Sequence, residues 1–196
     1  MTSRTRAVLI VSAAAFIALA AAAGLAGILD ADVALRDAVL AWASPVVVAT
    51  MRVVNLGGDW RVLLPGILLL FVVFPRARTR WWVWIALMVI APLAEGTLKE
   101  IVGRARPEGP AMGFPSGHAT AATAYFGAVA YLAGSLRTRA ACVAVRSVAV
   151  VAIALVAAAR VVLRAHWPSD VLGGIALGLA LAAAAALVAS NAERVE

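Results

Sequence analysis

Cysteine is almost missing from this sequence. Cys142 stands alone, which excludes an internal disulfide and any cysteine-based metal site; the residue reads as an apolar filler. Lysine is as scarce, with Lys99 the single example beside sixteen arginines, and the histidines are two, His118 and His166. Charged residues make up 14% of the chain. No internal repeat or low-complexity linker divides it, so residues 1–196 read as one domain. What is abundant is apolar: 64% of residues, with a mean hydropathy of +0.98. A soluble domain runs nearer half, and 196 residues cannot hide that excess in a water-surrounded core. A lipid bilayer accepts it, and the expected fold class is all-α.

A membrane-crossing helix needs about 20 mostly apolar residues. Six stretches qualify: 7–29, 60–74 (short, and broken by Pro65), 81–102, 117–136, 145–163 and 168–190. The sequence therefore predicts a bundle of six transmembrane helices. A cleaved signal peptide is the alternative for the first stretch, which follows Arg4 and Arg6 and ends in small residues. Its apolar run exceeds the usual signal core of roughly 7–15 residues, so it is read as a retained span.

The net charge of +7 would suggest nucleic acid in a soluble protein. Here it has another origin. With six spans, the N-terminus, the loops near 75–80 and 137–146 and the C-terminus share one side. That side holds Arg4, Arg6, Arg76, Arg78, Arg80, Arg137, Arg139, Arg146 and Arg194 against only Glu193 and Glu196, a balance of +7. The other half of the chain is neutral. The whole excess is a positive-inside signal, which puts both termini in the cytoplasm of a multi-pass cell-membrane protein and the opposite face outside. Nucleic acid is not an expected partner.

Residues 31–59 are not a clean span. Leu35, Val39, Trp42 and Val46 recur at helical spacing, opposed by Asp32, Arg36 and Asp37. Ser44-Pro45 has the form of a cap and first helical position. Two short helices on the outer membrane surface are expected between the first two spans, as a rim guiding lipid toward the site or as an ordinary outer loop. Trp81, Trp82 and Trp84 read as an interfacial anchor of the third span.

Ionisable groups at a bilayer are costly and are functional candidates by default. They gather at three places. Lys99, Arg104 and Arg106 close the third span, His118 opens the fourth, and Arg160, Arg164, His166 and Asp170 join the fifth to the sixth. In the six-span arrangement all three places lie in one outer layer, with both histidines and the single lysine among them. Several cations kept near an apolar medium suit a phosphate dianion. Pro115-Ser116-Gly117-His118 precedes a helix: glycine lets the backbone approach, helix-start N–H groups favour an anion, and Ser116 adds a hydroxyl. His166 and Asp170 are four apart; on one helical turn the carboxylate would hold one ring nitrogen and leave the other to attack. A second histidine can protonate the leaving oxygen.

Lys99-Glu-Ile-Val-Gly-Arg-Ala-Arg106-Pro107, Pro115-Ser-Gly-His118 and Arg160-Val-Val-Leu-Arg-Ala-His166-Trp-Pro-Ser-Asp170 resemble, in order, the three motifs of the type 2 phosphatidic acid phosphatase family. The resemblance implies a metal-independent membrane lipid phosphatase that needs no cofactor. It implies His166 as nucleophile forming a phosphohistidine, Asp170 as its orienting carboxylate and His118 as general acid. Lys99, Arg106, Ser116, Gly117 and Arg160 would hold the phosphate. The family usually has serine before the third-motif arginine; this chain has Ala159, which predicts one lost supporting hydrogen bond. The short chain and outward site resemble bacterial enzymes hydrolysing undecaprenyl pyrophosphate, with phosphatidic acid and phosphatidylglycerol phosphate as alternatives.

Arg104 and Arg164 fall outside the motif positions and read as interfacial arginines contacting headgroups. Glu95, one turn before Lys99, reads as its counter-ion, and Glu100 and Glu108 as solvated. A two-histidine, one-carboxylate metal set of His118, His166 and Asp170 is disfavoured by three fixed cations in the same pocket. Vanadium-dependent haloperoxidases resemble the same motif set but are soluble and longer. A non-enzymatic lipid-binding role would need a lost central residue, and none is lost.

Overall fold

The computed structural model describes residues 2–192. Glu193, Arg194 and Glu196, which entered the charge balance, lie outside the described residues. Among those described, the secondary structure is helical and contains no strand. In chain order the helices are α1 (Thr2–Ala26), α2 (Asp30–Leu40), α3 (Pro45–Asn55), α4 (Trp60–Val73), α5 (Pro75–Thr79), α6 (Trp81–Val102), α7 (Gly117–Leu132), α8 (Arg139–Val162) and α9 (Pro168–Ala192). Their starts follow from local chemistry. The Ser44 hydroxyl accepts the Val47 N–H at 3.3 Å ahead of Pro45, Asp59 accepts the Arg61 N–H at 2.9 Å, and Thr138 accepts the Ala141 N–H at 3.1 Å. The Thr138 cap starts α8 six residues before the expected Val145.

Among the described residues, four helices are long and apolar enough to cross a bilayer: Ser3–Ala26, Trp81–Val102, Arg139–Val162 and Pro168–Ser190. The bent pair α2 and α3, turned by 114°, makes a fifth if taken as one broken span. Two of the six expected spans are shorter than a full crossing. Phe74-Pro75 stops α4 at 14 residues, and α7 has 16, because its first turn begins inside the site layer. The expected short helices between the first two spans are present as α2 and α3. Trp42, between them, is 82% exposed, and Leu35, Val46 and Val53 are exposed too. Apolar side chains on the outside of α1, α4 and α8, such as Ile10, Ile17, Leu68 and Val148, are likewise exposed, as a lipid-facing surface requires.

α9 is the central helix, with α1 and α7 along its length and α6 and α8 beside it. Lipid is as apolar as the core, so what holds these helices is close packing of small residues. Gly174 and Gly178 carry that contact. A Cβ on Gly174 would stand 2.6 Å from the Ser116 carbonyl oxygen, and one on Gly178 would stand 2.6 Å from Thr123 Cβ. The missing side chains let the first turn of α7 lie directly on the first turns of α9. A larger cluster of Leu63, Leu70, Leu87, Tyr125 and Leu132 fills the space between α4, α6 and α7, and the Tyr125 hydroxyl donates to the Gly66 carbonyl at 2.8 Å. Trp84 belongs to this core, 3% exposed beside Tyr131. Of the three expected anchors, only Trp81 and Trp82 face outward.

Candidate active site

The loop from α6 to α7 brings two of the three polar groups together. Gly103, at φ 65°, ends α6 by donating its N–H to the Lys99 carbonyl at 2.9 Å. The chain then turns back through an antiparallel bridge between Ala105 and Met112, and the Gly113 N–H donates to the Arg104 carbonyl. A Cβ on Gly113 would lie 2.8 Å from Asp170 Oδ2, so a side chain there would push the loop off the carboxylate. The Ser116 N–H then donates to the Asp170 carbonyl at 3.0 Å. That bond ties the start of α7 to the start of α9.

His166 sits in the turn between α8 and α9, in the segment expected to join the fifth span to the sixth. The Arg160 carbonyl holds this turn by accepting from the N–H groups of Ala165 at 3.1 Å and His166 at 3.3 Å, with Arg164 at φ 56°. Asp170 is the third residue of α9, and its Oδ2 accepts the Trp167 N–H at 3.0 Å, which caps the helix start. The same oxygen lies 3.5 Å from His166 Nδ1. The expected pairing of His166 with Asp170 is therefore present, produced by a helix cap.

His166 is 1% exposed. Burial pushes its pKa down to about 4; the Asp170 carboxylate, 3.5 Å from Nδ1, opposes the shift, and Arg160 and Arg106 add to it. The ring is therefore neutral at neutral pH, with a lone pair available. His118, in the first turn of α7, lies within electrostatic range of His166, Arg160, Lys99 and Asp59. The turn at Leu56–Gly58 packs closely on it: a Cβ on Gly58 would be 2.8 Å from the His118 carbonyl oxygen.

The expected phosphate-holding residues surround this pair. Arg160 is buried; one of its terminal nitrogens donates to Asn55 Oδ1 at 2.6 Å, while its Nε has no protein partner. The Ser116 hydroxyl is buried without a protein partner. Arg106 donates through Nε to the Met112 carbonyl at 2.9 Å and acts electrostatically on both His166 and Arg160. Lys99 forms an ion pair with Glu95, as expected, and the Glu95 carboxylate abuts Gly117, where a Cβ would be 2.8 Å from its oxygen. The motif residues thus meet at one end of the bundle and can receive an anion beside a neutral imidazole.

Three residues were missed or misread. Arg104 is 4% exposed and is no headgroup-facing arginine. It donates to Ser169 Oγ at 2.5 Å and to Asp170 Oδ1 at 2.8 Å, and forms an ion pair with Asp32. Asp32, on α2, is 2% exposed and also accepts from the Ser169 N–H and hydroxyl, each at 2.7 Å. Asn55, on α3, supplies a hydrogen bond to Arg160 in a chain where Ala159 can supply none. Glu108 is exposed and stands 3.4 Å from both Arg36 and Arg164, so Arg164 faces a carboxylate at the rim. Asp170 has both oxygens engaged, by Arg104 and by the Trp167 N–H.

A family model described as the PAP2 superfamily matches residues 80–194. The decaprenylphosphoryl-5-phosphoribose phosphatase of Mycobacterium tuberculosis (strain CDC 1551 / Oshkosh) is 32% identical over 164 residues, covering 76% of this chain and 85% of that protein. Its counterpart in strain ATCC 25618 / H37Rv matches to the same extent. The crystal structure of a transmembrane PAP2 type phosphatidylglycerolphosphate phosphatase from Bacillus subtilis matches with a TM-score of 0.81 at 27% identity, over 95% of this chain and 96% of that one.

Proposed function

We propose, starting from the fact that this chain belongs to the PAP2 superfamily, that it removes the terminal phosphate of a membrane lipid through a phosphohistidine on His166. The chain is a membrane phosphatase acting on a lipid phosphate. The observation that carries the mechanism is a neutral, buried His166 with Nδ1 toward Asp170, set among Arg160, Arg106 and the partnerless Ser116 hydroxyl.

In the first step the ring nitrogen remote from Asp170 attacks phosphorus, and the bond from phosphorus to the leaving oxygen breaks. His118, which takes up a proton when the phosphate anion sits beside it, gives that proton to the leaving oxygen, and Asp170 stabilises the charge that forms on His166. Arg160, Arg106, Lys99, Ser116 and the Gly117 N–H take the negative charge of the transferring group. Lys99 exchanges Glu95 for substrate in the process. In the second step His118 accepts a proton from water, the water oxygen bonds to phosphorus, and phosphate leaves His166. No step needs a metal.

The bundle crosses the membrane six times in this reading. α7 needs less than a full crossing because its start is recessed at the site; its 16 residues cover about 24 Å at 1.5 Å each. The arginine balance puts both termini in the cytoplasm and the site at the outer face. For substrate, the names of the similar proteins favour a phosphomonoester carried on a lipid-linked headgroup. Undecaprenyl pyrophosphate, in keeping with an outward site, is the second reading.

The test is phosphate release by purified protein in EDTA, with His166→Ala as control. The panel holds undecaprenyl pyrophosphate, phosphatidic acid, phosphatidylglycerol phosphate and a polyprenylphosphoryl phosphoribose. Turnover that disappears in the variant is the expected result, and the ranking chooses the substrate. No release from any lipid, or full activity in His166→Ala, overturns the mechanism.

A further inference from the structure

Behind Asp170 lie two buried charges, Arg104 and Asp32, that the proposed reaction does not use. Asp170 faces the histidine with one oxygen and Arg104 with the other. Arg104 in turn meets Asp32, and Ser169 is wedged between them, donating its N–H and hydroxyl to the Asp32 carboxylate and accepting from Arg104. Asp170, Arg104 and Asp32 form a row across three parts of the chain: α2, the α6–α7 loop and the start of α9. Side chains this deeply buried stay ionised only when paired and hydrogen-bonded. Asp32 shows it: burial alone would raise its pKa, yet hydrogen bonds from Arg104 and Ser169 outweigh that and hold it below the ordinary carboxylate value.

We propose that Asp32 and Arg104 are positioning residues that fix the carboxylate of Asp170 and set the net charge it presents to His166; this rests on His166 being the attacking group. Arg104 holds Oδ1, which leaves Oδ2 turned toward His166 Nδ1. Its charge offsets one of the two carboxylates, so the row carries a net charge of −1. A bare pair of acids would hold a proton on His166 and remove its lone pair. An Arg104 and Asp170 pair without Asp32 would be neutral and would give the imidazolium less support. The α2 helix thus supports the Asp170 carboxylate through Asp32.

Charge counting makes this distinguishable from a purely structural role. Arg104→Gln leaves two carboxylates, a net −2, so the acid limb of kcat/KM moves to higher pH. Asp32→Asn leaves Arg104 and Asp170, a net zero, so the limb moves to lower pH. Each shift should be about one pH unit, the size expected for one nearby charge. Asp32→Asn with Arg104→Gln restores −1 and should restore the limb. The other groups around His166 are unchanged in all three variants: Asp170 from α9, Arg160 from α8, Arg106 from the loop and His118 from α7. Lys99 of α6 and Asp59 before α4, which act on His118, are unchanged as well.

The experiment is the pH profile of kcat/KM from pH 3 to 8 on full-length protein in detergent micelles, with a lipid substrate turned over by the unaltered chain. Folding is checked by size-exclusion chromatography. Opposite displacements in the two single variants, cancelled in the double, are the expected result. Equal loss of rate at every pH with no displacement overturns the proposal. So do displacements of the same sign. Single variants that bury an unpaired charge can fail to fold, and the double variant then carries the test. Its limb should stay within about half a pH unit of the original, and a displacement of a unit or more refutes the charge count. Full turnover in His166→Ala would instead bring down the underlying mechanism, and the proposal with it.

Discussion

A single methyl group at Gly174 should disable this protein more than its size suggests. Gly174 lies on α9 one turn beyond Asp170, facing the first turn of α7. A Cβ there would meet the Ser116 carbonyl oxygen at 2.6 Å, Ala119 Cβ at 2.9 Å and the Thr120 nitrogen at 3.2 Å. Two of these atoms are backbone, and Ser116 and Thr120 are joined by the first hydrogen bond of α7 at 2.9 Å, so neither can step aside alone. Ordinary contact begins at 3.4 Å, so the two helices must part by about 0.8 Å. The strain should destabilise the fold by about 1–3 kcal/mol. The same displacement carries Ser116, Gly117 and His118 away from His166, and a misplacement near 1 Å costs about 10²-fold in rate. Gly174→Ala should therefore lose roughly 10²-fold in kcat and melt at lower temperature. Gly178→Ala, one turn deeper, meets Thr123 Cβ at 2.6 Å and the Thr120 carbonyl oxygen at 2.7 Å. It should lose comparable stability with less activity. Gly96→Ala on α6, where a Cβ meets nothing within 4 Å, is the control and should gain up to about 1 kcal/mol from helix propensity. Phosphate release and thermal unfolding in detergent read all three. Gly174→Ala with unaltered rate and melting temperature would refute the close α7 and α9 contact.

Four further outcomes follow from the same geometry. His166→Ala should form no acid-labile phosphoprotein in rapid-quench trapping, while His118→Ala should form it slowly and recover on substrates with good leaving groups; equal losses on good and poor leaving groups would remove the acid role. Asn55→Ala frees Arg160 from its 2.6 Å hydrogen bond and should raise KM with a smaller change in kcat, read by steady-state kinetics on a lipid phosphate. Orthovanadate should inhibit at micromolar concentration by adopting the five-coordinate geometry of the transferring phosphorus, and EDTA should leave turnover unchanged. His166, with its pKa pushed down to about 4 by burial, sets the sign of the pH response: the unfolded chain binds the proton first as pH falls below about 6.5, so folded-state stability from this group declines from there toward pH 4. The acid limb of kcat/KM should fall near pH 4 in the unaltered chain, and a limb near 6.5 would show a solvated His166.

How much of this was legible in the sequence depended on what kind of contact held each residue. The helix start at Ser44-Pro45 was readable from neighbouring residues, whereas the Thr138 cap was passed over, and α6 and the start of α9 lie where the apolar pattern put them. The motif residues were readable because ionisable side chains are rare in so apolar a chain. The helix lengths were not: α7 starts at the buried Ser116 and α4 stops at Phe74-Pro75, so both are shorter than the apolar runs that contain them. Trp84 shares its neighbours' side chain but not their direction, and only the packing beside Tyr131 reveals it.

Arg104 marks the deeper limit. It is one residue from Ala105 and two from Arg106, and local pattern made it a surface cation like its neighbours. Its partners are Asp32, 72 positions away, and Ser169 and Asp170, 65 and 66 positions away. No period or spacing connects such residues, so only the folded chain could pair them. One signal was available. Asp32 and Arg36 are one helical turn apart in α2, and Arg36 lies over Trp167, next to His166. The apolar stripe of α2 had put its charged face toward water. In the fold Asp32 and Arg36 of that face turn toward the site, while Asp37 stays exposed. For a membrane enzyme the polar side of a surface helix is thus where catalytic partners should be sought, and Asp32 is the residue such a search finds first.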